Sequence, residues 1–233
     1  MSNDVPLTKP RFKVQKDRLI LIPNPMEKLD DYEEFLEHPL KIMRRIGVYD
    51  FFYSTQYHSG KFDFLPSVRL FKICKSRLAL RISSNSPTSS KGVYNVNSEA
   101  FIVSAKIIDE FYREVLSNNA LPVVILFPPA SDLTTHNNGQ IKSYEPLVDY
   151  LIDKRYRYID MINGFNDKGY VGELEIRDLF VKGHYSEKGN EIVVRYISDY
   201  LKNNNLLDME SIHRETEKER LRIRASAAKL EAA

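Results

Sequence analysis

The residue whose type and setting point most directly to chemistry is His184, in the stretch Asp178 to Leu201, DLFVKGHYSEKGNEIVVRYISDYL. Imidazole is the side chain best matched to proton transfer near neutral pH. The residues after it predict a helix. Ser186 and Glu187 start it, and Ile192, Val193, Tyr196, Ile197, Tyr200 and Leu201 recur on one face at helical spacing. A loop histidine delivered onto a helix N-terminus has its backbone tied down and its ring left to face a cleft. The competing reading of a lone histidine is a plain turn residue. Three further positions could do chemistry. His136 with Asp132 reads either as an acid–base or metal pair or as a flexible-loop histidine. Asp160, near the end of a short apolar run, reads as a site acid or as the start of a loop leading away. His58 reads as a surface residue.

The block around His184 resembles the last motif of the SGNH (GDSL-type) hydrolases, where a loop carries an acid and then a histidine, followed by a short polar run with glycine and a helix. The matching residues are Asp178, Gly183, His184, Ser186, Gly189 and Asn190. A second likeness lies near the start. KPRF, a short hairpin and a proline resemble the segment after the family's third block, with Asn3-Asp4 standing where that block supplies an oxyanion-hole asparagine. The resemblance implies His184 as general base, Asp178 as the acid that orients it, and Asn3 as oxyanion donor. It implies a small-molecule or carbohydrate acyl ester as substrate, and no metal or organic cofactor. The family usually places its acid three residues before the histidine. Here that position is Val181, and Asp178 lies six before.

Serine ester hydrolysis also needs an activated hydroxyl. The family takes it from a Gly-Asp-Ser turn, and no such turn occurs anywhere in this sequence, nor does a Gly-x-Ser-x-Gly elbow. The expectation is therefore the C-terminal part of an SGNH esterase or acyl-transfer domain. It would be inactive as this chain unless an N-terminal segment or a second chain completes it. The implied fold is α/β: a flavodoxin-like three-layer α/β/α arrangement with a parallel sheet, incomplete at its N-terminus. The alternative function is a non-enzymatic protein-interaction or carbohydrate-binding accessory protein. The aromatic stretch VYDFFYSTQYHSGKFDF serves either reading, as a ligand pocket or as packing between helices.

The elements that must position these residues follow from pattern. Phe12–Val14 and Leu19–Ile22 predict a hairpin turning at Lys16-Asp17. Residues 31–90 predict a helical insertion. Its first helix opens acidic and its second ends basic before Gly47, as the helix dipole favours, with Pro39 between them. Residues 99–118 form the clearest amphipathic helix, and Val123–Phe127 the clearest buried strand, stopped by Pro128-Pro129. A second helix follows, capped by Ser143 with Pro146 in its first turn, and then a strand from Tyr158 to Ile162. Helix and buried strand in alternation argue for a parallel sheet. The hydrolase-like domain spans 1–202, and the charged residues 203–233 read as a solvent-facing helix or frayed tail.

Composition limits the function classes. Lys plus Arg total 34 and Asp plus Glu 32, a formal charge of +2, which gives no overall electrostatic case for nucleic acid or an anionic membrane as main partner. The single cysteine, Cys74, excludes an internal disulfide framework and a cysteine zinc cluster, and reads as a small buried hydrophobe. No run of roughly 18 apolar residues encodes a membrane span. With no apolar signal core at its start, the chain reads as cytoplasmic.

Overall fold

The structure, a computed structural model, describes residues 11–24, 26–47, 62, 64–82, 89–90, 92–166 and 176–231. It is a mixed α/β protein, mostly helical, with small parallel and antiparallel sheets. The chain divides into two compact units, Met1–Gly92 with Asn97–Val103, and Val93–Val96 with Ser104–Ala233. Asn3, His58 and most of the aromatic stretch lie outside the described residues.

The first unit opens with the predicted hairpin. β1 (Arg11–Gln15) pairs antiparallel with β2 (Arg18–Ile22), placing Phe12 opposite Leu21 and Val14 opposite Leu19. Lys16 and Asp17 carry φ of 50° and 61°, the left-handed pair that a two-residue turn of matching twist requires. α1 (Leu29–Glu37) is started by Asp31, whose Oδ2 accepts the N–H groups of Glu27 (3.0 Å) and Lys28 (2.8 Å). The Lys28 hydrogen bond is the main reason the Asp31 carboxyl is held below the usual carboxylate range. Pro39 opens α2 (Pro39–Gly47), where a fixed φ and a missing N–H do no harm. Met26 and Ile42 form a small core with Phe35 and Met43. α3 (Pro66–Ile82) and the short β3 (Ser89–Ser90) follow. Ser98 Oγ then accepts the Phe101 N–H (3.1 Å) at the start of α4 (Glu99–Ser117).

The second unit holds the main core. Its elements are β4 (Val93–Tyr94), the body of α4, β5 (Val124–Leu126), α5 (Ala130–Asn137), α6 (Glu145–Asp153) and β6 (Tyr158–Asp160). After them come α7 (Met161–Asn166), a 3-10 turn (Ile176–Leu179), β7 (Phe180–Val181), β8 (His184–Tyr185), α8 (Glu187–Asn203) and α9 (Met209–Glu231). β5 and β6 pair in parallel, Val124 opposite Tyr158 and Leu126 opposite Asp160, as the alternation of helix and apolar strand predicts. Ile159 of β6 packs in one core with Leu133, Met161, Ile162, Phe165 and Leu179.

Four expectations need correction. Cys74, read as a small buried hydrophobe, is exposed on α3. β5 is half-buried along its length rather than fully buried. The strand expected to reach Ile162 stops at Asp160, because Asp160 Oδ1 accepts the Ile162 N–H (3.1 Å) and turns the chain into α7. The C-terminal residues form a helix, but not one facing solvent on all sides. Thr216 and Glu219 of α9 are buried, Arg157 pairs with Glu215 (3.1 Å), and Arg220 Nε donates to the Leu116 carbonyl at the end of α4 (2.9 Å).

Candidate functional site

In an α/β fold, ligands gather at the carboxyl ends of parallel strands. At that end of β5 lie Pro128 and Pro129, and at that end of β6 lies Asp160. Asp160 is buried there, as is the nearby Asp132. Asp160 accepts Lys142 Nζ on Oδ2 (2.8 Å) and the Tyr144 hydroxyl on Oδ1 (2.7 Å), and the carboxylate and ammonium side chains are 3% and 11% exposed. Lys142 Nζ also reaches Glu145 (3.2 Å). Burial works against the Lys142 charge, but the hydrogen bonds and charges of Asp160 and Glu145 outweigh it and hold the amine above the ordinary lysine range. Burial first, and Asp160 second, push the Tyr144 hydroxyl far above the usual phenol range. The cluster thus places the Asp160 side chain between the Lys142 amine and the Tyr144 hydroxyl. Two other carboxyl and hydroxyl groups close the loop beside it. Asp132 accepts the Ser143 N–H (2.6 Å) and Oγ–H (2.8 Å), and the Ser143 carbonyl accepts the Tyr94 N–H (2.8 Å).

This arrangement changes two assignments. Ser143 does not cap α6 with its side chain, because its hydroxyl is taken by Asp132. Asp132 and His136 lie four apart on α5, but both carboxylate oxygens of Asp132 turn inward to Ser143 while His136 is exposed. Among the described residues no cluster of three His, Cys, Asp or Glu side chains is placed to hold a metal ion.

His184 sits on β8, paired with Val181 of β7 across a two-residue turn. Lys182 and Gly183 have φ of 51° and 85°, the same turn geometry as in the first hairpin. Alternation along so short a ladder sends Phe180 and Tyr185 to one face and Val181 and His184 to the other. The rings of the inner pair meet at a tilt, 5.0 Å between centroids, Tyr185 also meets Phe165 (5.3 Å), and its hydroxyl donates to the Pro128 carbonyl (2.7 Å). The outer pair, Val181 and His184, is exposed. The hairpin is therefore fastened to the carboxyl end of β5 while it presents an imidazole to solvent.

The polar run after the histidine acts as a clamp. Ser186 Oγ donates to the Asp178 carbonyl (2.6 Å) and accepts the Gly189 N–H (3.2 Å), and the Ser186 N–H donates to the Leu179 carbonyl (2.8 Å). Ser186 thus caps α8 and ties it to the 3-10 turn. The Asp178 carboxylate lies 3.8 Å from the Arg177 guanidinium. Among the described residues neither a carboxylate nor a hydroxyl bonds the His184 ring, so the structure does not join His184 and Asp178 as a hydrogen-bonded pair.

Pattern reading singled out Asp160 but not its partners Lys142 and Tyr144. They stand in the loop before α6, where no periodicity marks them. Compared with known proteins, the chain gives no significant match to a family model, a curated protein or a solved structure.

Proposed function

We propose that this chain carries the histidine part of an SGNH-type ester-hydrolase or acyl-transfer site, in a flavodoxin-like α/β/α arrangement that further strands would complete. The observation that carries the reading is the mounting of His184. Its hairpin is pinned through Tyr185 to the carboxyl end of β5, on a clamp built from the motif residues Ser186 and Gly189. His184 would act as base and then acid on a serine that this sequence lacks in Gly-Asp-Ser form, with Asn3 as oxyanion donor and Asp178 or a substitute orienting the ring. A β5 without a second neighbour among the described residues is consistent with strands missing at that edge.

The test is nitrophenyl-acetate turnover by the purified chain, alone and with a polypeptide supplying a strand that ends in Gly-Asp-Ser. Alone, the rate stays at background. With the added segment it rises, and His184→Ala abolishes the rise. Turnover by the chain alone that depends on His184, or no gain with any such segment, refutes the proposal. The ring's lack of a hydroxyl or carboxylate partner among the described residues favours a second reading, a non-enzymatic binding domain for a protein or carbohydrate. That reading expects a soluble glycan or protein partner to bind with or without the His184 side chain.

A further inference from the structure

We propose that α9 is a salt-releasable strap: a helix held on the second unit by arginine contacts, which comes away on the α8–α9 linker while the core beneath it stays folded. The proposal does not depend on the hydrolase reading.

The face that α9 turns inward is polar. Ile212, Glu215, Thr216, Glu219, Arg222 and Ile223 recur at helical spacing and are buried or half-buried, and only the two isoleucines are apolar. The Thr216 hydroxyl donates back to the Ile212 carbonyl (2.8 Å), and the Glu219 carboxylate is bonded by Arg222 of the same helix. Docking therefore encloses an ion pair rather than an apolar stripe, and it removes hydration that release restores. Among the described residues no other helix or strand packs extensively against α9.

Long side chains make the attachment. Arg220 donates to the Leu116 carbonyl (2.9 Å) and to Asn119 Oδ1 (2.5 Å) at the C-terminal end of α4. Arg222 donates to the Lys154 carbonyl (3.2 Å) at the C-terminal end of α6. Both cations thus meet the negative end of a helix dipole. Glu215 pairs with Arg157 (3.1 Å). The Arg157 carbonyl also accepts the hydroxyl of Tyr112, a ring 1% exposed that stacks on Tyr156 (3.8 Å). The Tyr112 hydroxyl lies within electrostatic reach of Glu219 and Arg222, so α9 stands over it.

The helix itself is built without the core. Asp208 Oδ1 accepts the Ser211 N–H (2.8 Å) at its start, and the pairs Glu215–Lys218 (2.7 Å) and Glu217–Arg220 (2.5 Å) lie along it. The linker turns at Asn205, with φ of 54°, and is anchored by buried Leu206. Salt separates strap from core. Going from about 0.1 M to about 1 M shortens the Debye length from roughly 10 Å to about 3 Å, which weakens half-exposed charge contacts such as Arg157–Glu215. The packing of Leu133, Ile162 and Phe165 has no charge to screen.

The experiment is hydrogen exchange read by mass spectrometry on the full chain in low and high sodium chloride. A helix of this kind is marginal in water once undocked. Its amides are expected to exchange about tenfold or more faster in high salt, while those of α8 and β5 hold their rates. Hydroxyl-radical oxidation of Tyr112 rises over the same salt range. Joint replacement Arg220→Gln and Arg222→Gln brings both changes at low salt, with α8 and β5 reporting in the same sample that the chain is folded. Arg224→Gln, which removes a charge from the exposed side of α9, brings neither. If the double variant does not fold, the salt series on the unaltered chain decides alone. The proposal fails if α9 protection ignores salt, or if it is lost only together with α8 and β5. It also fails if α9 exchanges faster while Tyr112 stays covered, or if Arg224→Gln acts as the double variant does.

Discussion

At position 181 a valine faces the histidine across the β7–β8 ladder. Directly opposed residues in an antiparallel pair hold their Cβ atoms about 5 Å apart on the same face. A carboxylate at 181 would therefore stand beside the imidazole, whereas a valine offers it no charge and no acceptor. Asp178 cannot substitute through the ladder, since it belongs to the 3-10 turn and its carboxylate lies near Arg177. Val181→Asp should accordingly raise the His184 pKa, because a nearby negative charge favours the imidazolium. Solvent screens an exposed pair, so the rise is expected to be small. Proton NMR of the ring C–H groups against pH measures it. An unchanged titration would mean that the two side chains are not neighbours on the outer face.

The element that holds this histidine is the first turn of α8 against the 3-10 turn. Gly189 makes the contact possible: a Cβ there would lie 2.5 Å from the Leu179 carbonyl oxygen, a backbone atom that cannot swing aside. The same oxygen already accepts the Ser186 N–H, so retreat of the turn would also break the clamp. Gly189→Ala should destabilise the protein by about 1–3 kcal/mol despite alanine's better helix propensity, read as a lower urea midpoint. A neutral or stabilising result would show that α8 is not seated on Leu179. The polar run SEKGN is thus legible as a mechanical device in its own right. Pattern also anticipates α4, α8 and both early turns of α1 and α2, because periodicity reports which face is buried and charge reports which end is which. It does not anticipate that Ser143 turns to Asp132, or that Lys142 turns to Asp160. Those bonds join residues 11 and 18 positions apart, and their partners depend on the path of a loop that no periodicity describes. Nor does the charged composition of α9 reveal its docking, since Arg220 is held by the Leu116 carbonyl at the end of α4, and a carbonyl is common to every residue.

Across the whole molecule, the protonation of phenols sets how stability responds to alkali. Among the described residues Tyr112, Tyr144, Tyr150, Tyr156, Tyr158 and Tyr185 all have hydroxyls pushed above the ordinary tyrosine range, with burial the first cause in each. All belong to the second unit. Neighbouring carboxylates add to the effect: Asp109 accepts the hydroxyls of Tyr150 (2.6 Å) and Tyr156 (2.9 Å), and Asp160 that of Tyr144. Lys142 is raised as well, by Asp160 and Glu145 against the opposing cost of burial. For a group whose pKa is raised on folding, the stabilisation is whole below the unfolded pKa and is lost as pH climbs toward the folded value. Below the ordinary tyrosine value of 10.0 and lysine value of 10.5, folded and unfolded chains bind the same protons at these sites. Above those values the unfolded chain releases protons that the folded one keeps, so unfolding becomes easier. Each enclosed phenol that stays protonated while its unfolded counterpart ionises steepens the decline by about 1.4 kcal/mol per pH unit. Urea midpoints should therefore stay level from pH 7 to about 9 and fall steeply above about 10. Tyrosinate absorbance should rise together with the loss of helix rather than ahead of it. If a large tyrosinate signal instead develops in the folded protein before unfolding, these phenols are open to solvent, and the packing around Asp109 and Asp160 is not as described.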